Sequence, residues 1–120
     1  MLETRQLHPT LAREVVGLKL WDRLDDATVA ELRTLYAQFG VLVFRRQALS
    51  EAELAAFCAL LGPLERTVRS DWASPATPEV TVLSNLRDGS GRPIGGLGDG
   101  ELQWHSDQSY MTAPVAGVVM

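Results

Sequence analysis

Residues 40–65 read GVLVFRRQALSEAELAAFCALLGPLE, and the change of periodicity inside this stretch decides the fold class. Val41, Leu42, Val43 and Phe44 form an unbroken apolar run that is short and valine-rich, which predicts a central strand covered on both faces. Ser50 and Glu53 then make an S-x-x-E capping box, with Leu49 and Leu54 spaced as a hydrophobic staple. A helix follows through Phe57 and Leu60 or Leu61, and Gly62 with Pro63 ends it. A strand that passes straight into a capped helix makes the chain α+β.

Upstream, a second helix is written in the same local grammar. Asp25 is a cap, Leu24 and Val29 sit at staple positions, and Val29, Leu32, Leu35, Tyr36 and Phe39 recur at helical spacing up to Gly40. Before it, residues 15–20 (VVGLKL) read as a strand interrupted at Gly17 by a bulge or a close backbone approach. Downstream, residues 80–86 read as a strand after the turn region 75–78. Residues 87–100 hold six of the ten glycines and predict a loop without a regular element. Gly89, Gly91 and Gly95 miss the G-x-G-x-x-G fingerprint by one residue, so a nucleotide-phosphate cradle is disfavoured. Residues 115–120 (VAGVVM) read as the middle of a buried strand, which carries the expectation that the native protein continues beyond them.

Length and composition set outer bounds. With 120 residues, 46% of them hydrophobic, and no repeat or low-complexity tract, residues 1–120 are read as a single domain. The longest apolar runs fall far short of the roughly 20 residues that a membrane span needs. The N-terminus mixes charges and lacks the order of a secretory signal, so a cytoplasmic location is expected. One cysteine, Cys58, lies in an apolar stretch and reads as a small core hydrophobe. A net charge of −4, with no basic cluster beyond Arg45 and Arg46, argues against a nucleic-acid partner and for a small-molecule substrate.

The residues best suited to chemistry are in the segment Trp104, His105, Ser106, Asp107. If that segment is extended, His105 and Asp107 leave the same face, and an imidazole with a carboxylate supplies two corners of the facial triad that holds non-haem Fe(II). The pattern alone is weak. Two histidines and seven aspartates in 120 residues give about 0.1 such pairs by chance. The alternative is a histidine hydrogen-bonded to a neighbouring aspartate with no metal. The preceding glycine-rich loop and the neighbouring Trp104 and Tyr110 favour a partly apolar pocket mouth.

Together, the run at 40–65 and the later WHSDQSYMTAPVAG at 104–117 resemble the N-terminal half of the taurine dioxygenase-like (TauD/TfdA) family. That family comprises Fe(II)- and 2-oxoglutarate-dependent dioxygenases. The match runs from Gly17 onwards. It implies a double-stranded β-helix, or jelly roll, with helices packed outside, here incomplete at the C-terminus. It further implies His105 and Asp107 as iron ligands, with Fe(II) and 2-oxoglutarate as cofactor and co-substrate. By the same resemblance, a third ligand histidine and an arginine for 2-oxoglutarate belong more than 100 residues downstream. Glu101, four before the histidine, and Tyr110, three after the aspartate, occupy substrate-contacting positions of relatives. Glu101 departs from the neutral amide found there, and residues 65–70 lack the histidine of sulfonate-binding relatives; both features argue against taurine. Glu101 pointing to solvent and Tyr110 serving packing alone are the structural alternatives.

Three readings remain open on these grounds: a dioxygenase represented by an incomplete portion, a non-catalytic binding or scaffolding module, and a metalloenzyme completed by a ligand from a partner chain. With two ligands, residues 1–120 alone are expected to bind iron weakly. Exposed strand edges would leave them open to homo-oligomerisation. His8, the other histidine, reads as solvated.

Overall fold

The computed structural model describes residues 1–100 and 103–120, grouped into two units, Met1–Pro63 and Leu64–Met120. In the first unit, helix α1 covers Asp26–Phe39 and helix α2 covers Glu51–Leu61. Both start and stop where the local signals require. The Asp25 carboxylate accepts from the Thr28 N–H at 2.8 Å. Gly40, at φ 69°, takes the left-handed conformation that closes α1, and its N–H donates to the Tyr36 carbonyl at 2.8 Å. On α2 the capping box is reciprocal: the Ser50 N–H donates to the Glu53 carboxylate at 2.8 Å, and the Glu53 N–H donates to Ser50 Oγ at 3.3 Å.

Bonds from Ser50, first its side chain and then its backbone, hold the Glu53 carboxyl below its ordinary value. A carboxyl depressed on folding stabilises the fold above its unfolded value, and that contribution is lost as pH falls through the folded one. The pH dependence of stability below about pH 4 should therefore be shallower in Ser50→Ala than in the wild-type chain. At neutral pH the same substitution should cost about 1 kcal/mol in urea denaturation.

Strands β1 (Thr4–Gln6), β2 (Arg13–Val15) and β3 (Leu42–Val43) form one sheet in that order. β1 and β2 are antiparallel, with Thr4 opposite Val15; β2 and β3 are parallel, with Arg13 opposite Leu42. β2, α1 and β3 thus make a βαβ crossover. α1 presents Val29 and Leu32 to the interior and α2 presents Phe57, joined by Val15 and Leu20. Phe44 meets Phe57 edge to face, with ring centroids 5.7 Å apart.

Two expectations about the strands of this unit are corrected. The strand read at residues 15–20 lies instead at Arg13–Val15, because Gly17 (φ 75°) turns the chain. Leu18 and Leu20 are held by the Gln47 side chain, which donates to the Leu18 carbonyl at 2.9 Å and accepts from the Leu20 N–H at 3.0 Å. β3 is at an edge of its sheet rather than its centre, and Val41 is 47% exposed. An apolar run reports burial tendency and not the number of paired neighbours. β1, polar throughout, carried no strand signal.

Glu14 on β2 is a buried carboxylate flanked by Arg5 at 3.5 Å and Arg45 at 3.7 Å.

In the second unit, a 3₁₀ turn at Ser70–Trp72 precedes β4 (Leu83–Ser84) and β5 (Gly96–Leu97), which pair in parallel. The strand read at 80–86 is therefore shorter. The glycine-rich segment is more ordered than expected: it contributes β5, and a bridge joins Arg87 to Pro93. Glycine is required at position 96 by close approach, since a Cβ there would lie inside the indole of Trp72. Residues 115–120 form no strand and are mostly exposed, with Val118 and Met120 outward, because no described strand pairs with them.

Candidate metal centre

His105 and Asp107 lie on an irregular segment of the second unit, with no strand at residues 103–110. Their side chains nevertheless meet: His105 Nε2 is 3.0 Å from Asp107 Oδ1. The side chains approach each other although the extended segment, on which the expectation of a shared face depended, is absent. The other ring nitrogen, Nδ1, is 2.7 Å from the Gln103 carbonyl, which can only accept, so Nδ1 carries a proton. The Gln103 carbonyl first, and the Asp107 carboxylate second, hold the imidazole pKa above its ordinary value.

This donor set fits a divalent ion. Two adjacent ligands each about 2.1 Å from an octahedral ion stand about 3.0 Å apart, from the right angle between them. The observed separation equals that edge, so both donors can reach one ion once the carboxylate swings off the Nε2 lone-pair axis along which the hydrogen bond points. A backbone carbonyl on Nδ1–H is the outer-shell contact that fixes the tautomer in which Nε2 offers its lone pair. Asp107 would offset part of the ion's charge. The hydrogen-bonded, metal-free alternative uses the same contact.

About half of each side chain is open to solvent, and the pocket mouth expected around them is not formed by the described residues. Trp104 is 104% exposed and Tyr110 69%. Glu101 lies outside the described residues. Among the described residues no group of three His, Cys, Asp or Glu side chains is placed to hold a metal. His8 is exposed in the first unit, with Nδ1 accepting from the Thr10 N–H at 3.3 Å. Cys58 is half-buried, and burial pushes its thiol pKa up, in keeping with a packing role. No helix among the described residues is long and apolar enough to cross a membrane. The residue-type reading missed the Gln103 carbonyl, because a backbone acceptor leaves no trace in residue type.

Residues 3–120 match the family described as "Taurine catabolism dioxygenase TauD, TfdA family". The chain is 33% identical to the (S)-phenoxypropionate/alpha-ketoglutarate-dioxygenase of Sphingobium herbicidovorans, over 94% of its own length and 37% of the relative's. It is also 33% identical to the alpha-ketoglutarate-dependent 2,4-dichlorophenoxyacetate dioxygenase of Cupriavidus pinatubonensis, over 87% and 39%. Among solved structures it is similar to a taurine dioxygenase from Burkholderia xenovorans, with TM-score 0.59 and 26% identity over 70% of this chain and 32% of the other. It is likewise similar to AAD-2 in complex with Mn(II) and N-oxalylglycine, with TM-score 0.52 and 28% identity over 54% and 26%. The chain thus spans well under half the length of each.

Proposed function

Because the chain belongs to the TauD/TfdA family, we propose that it is part of a cytoplasmic dioxygenase using Fe(II) and 2-oxoglutarate to oxidise a small organic substrate, with His105 and Asp107 as two of three protein ligands. The observation that carries this reading is the family match over residues 3–120, to which the approach of Nε2 to Oδ1 at 3.0 Å and the Gln103 carbonyl on Nδ1 add a donor pair at the expected positions. The chemistry supplied at such a centre is dioxygen activation coupled to oxidative decarboxylation of 2-oxoglutarate to succinate and carbon dioxide. The chain's own part is to present neutral Nε2, to set one negative charge beside it, and to leave the remaining face open.

A third histidine, and an arginine for the carboxylate of 2-oxoglutarate, are assigned to residues outside 1–120. His8, the other histidine of the chain, is spent on Thr10. Residues 1–120 are assigned to one jelly-roll domain with its helices outside, supported by the likeness to solved dioxygenases. Tyr110 and Glu101 are proposed as substrate-contacting residues on the family likeness. The aromatic faces of Trp104 and Tyr110 suit an aryl group, as borne by the phenoxy compounds for which two relatives are named. Taurine is disfavoured, since residues 65–70 hold no histidine.

The test is Mn(II) titration of the 15N-labelled chain, read by paramagnetic broadening of the two histidine rings. We expect His105 to broaden selectively, His8 to stay sharp, and the affinity to be weaker than micromolar. Equal broadening of both rings, or of neither, would overturn the assignment and favour a non-catalytic module.

A further inference from the structure

We propose that the Asp99–Gly100 peptide bond is a site of spontaneous isoaspartate formation, and that the Asp88–Gly89 bond, the same dipeptide earlier in the second unit, is shielded from it by its surroundings. In either pair the glycine nitrogen can attack the aspartate Cγ. A C–N bond forms, one carboxyl oxygen leaves as water with the amide proton and the carboxyl proton, and a succinimide ring results. Water then reopens the ring. Breaking the new Cγ–N bond restores aspartate; breaking the original peptide C–N bond leaves the chain running through Cγ, with a free α-carboxylate. No oxidant or cofactor enters, and glycine favours closure because it has no Cβ to obstruct the ring.

Residue types alone make the two pairs equally reactive, and the structure separates them. Asp88 Oδ1 accepts from the Ser90 N–H at 2.8 Å, the Ser90 hydroxyl at 2.7 Å and the Arg92 N–H at 2.9 Å, and Oδ2 accepts from Arg92 Nε at 3.3 Å. Its main chain is pinned as well: the Asp88 N–H donates to the Arg92 carbonyl at 2.8 Å, and the Asp88 carbonyl accepts from the Gly91 N–H at 2.9 Å. Ring closure removes the negative charge that these donors surround, so it must give up hydrogen bonds of the charge-assisted kind. The same bonds, the Ser90 hydroxyl's first, hold the carboxyl below its ordinary pKa, and the neutral form that loses water is scarce. Asp99, by contrast, is exposed in a turn, and among the described residues its carboxylate has no hydrogen-bond or ionic partner. The Gly100 N–H, whose proton must leave, donates to the Leu97 carbonyl at a long 3.3 Å. That turn rests on Leu97 at φ 72°, a conformation that L side chains disfavour. The β-linked product would carry one extra main-chain carbon between β5 and the pair His105 and Asp107.

The experiment ages the wild-type chain at neutral pH and quantifies isoaspartate at each position by electron-transfer fragmentation, which cleaves the Cα–Cβ bond of a β-linked residue. We expect formation at Asp99 at least about 5-fold faster than at Asp88, a difference that one charge-assisted hydrogen bond at an exposed site supports. In urea the two rates should converge, because the distinction belongs to the fold. Ser90→Ala combined with Arg92→Ala should raise the Asp88 rate toward that of Asp99 and leave Asp99 unchanged. Gly100→Ala, whose added Cβ would lie 3.4 Å from the Leu97 carbonyl oxygen in ordinary contact, should slow Asp99 several-fold. Equal rates in the folded chain overturn the proposal, as does a faster Asp88, or isoaspartate at Asp99 that is insensitive to Gly100→Ala. An Asp88 rate unmoved by the double substitution refutes the shielding. Should that variant unfold, the wild-type comparison between buffer and urea decides the matter alone.

Discussion

Replacing Asp107 with asparagine should keep a hydrogen bond to His105 and sharply weaken the proposed metal binding. The asparagine amide can still pair with Nε2, its Nδ2–H donating to the ring's lone pair, so a purely structural histidine–aspartate pair would barely notice the change. A metal clip would, because the neutral amide neither offsets the ion's charge nor donates as strongly. Outer-shell partners typically account for about 10- to 100-fold in affinity, and loss of a ligand should exceed that. We therefore expect Asp107→Asn and His105→Ala each to weaken Mn(II) binding at least about 100-fold. The discriminating readout is Nδ1: in Asp107→Asn the His105 ring should keep its 15N signature of a proton donated to the Gln103 carbonyl. Metal binding that persists in Asp107→Asn with unchanged affinity would leave only the hydrogen-bonded pair.

Phe57→Ala should unfold much of Met1–Pro63 under conditions in which the wild-type chain holds. Phe57 is 2% exposed on α2 and Leu32 1% on α1, and few other side chains in this unit are buried. Truncating a buried phenylalanine costs about 3–5 kcal/mol, and the edge-to-face partnership with Phe44 adds to what is lost. Small domains hold about 5–15 kcal/mol in all, so a core this small cannot absorb the change. Phe44→Ala, at a half-buried position, should cost less. Urea denaturation followed by far-UV circular dichroism measures both, and a loss below about 1 kcal/mol for Phe57→Ala would contradict the packing described.

The helices were legible in the sequence because their determinants are local. Asp25, Gly40, Ser50 and Glu53 each act within four residues, and each does what its type predicts. The strands were much less so. β1 reads Thr-Arg-Gln and exists only because β2 lies beside it, and residues 115–120, largely apolar, form no strand where no described strand lies beside them. Strand formation is decided by a distant partner, and a residue pattern does not carry that information. The candidate site follows the same division. His105 and Asp107 were visible from residue type, spacing and family likeness, and they meet. The part that holds the ring, the Gln103 carbonyl, belongs to the backbone and has no residue-type signature.

The carboxylate of Glu14 has a meaning for how the sheet is assembled. Side chains alternate faces along a strand, so sliding β2 by one residue would swing Glu14 to the opposite side, away from both Arg5 and Arg45, and strand a charge with no counterion. A one-residue slip is thus opposed by charge as well as by packing, and two arginines, one on β1 and one just past β3, tether neighbouring segments to the same acid.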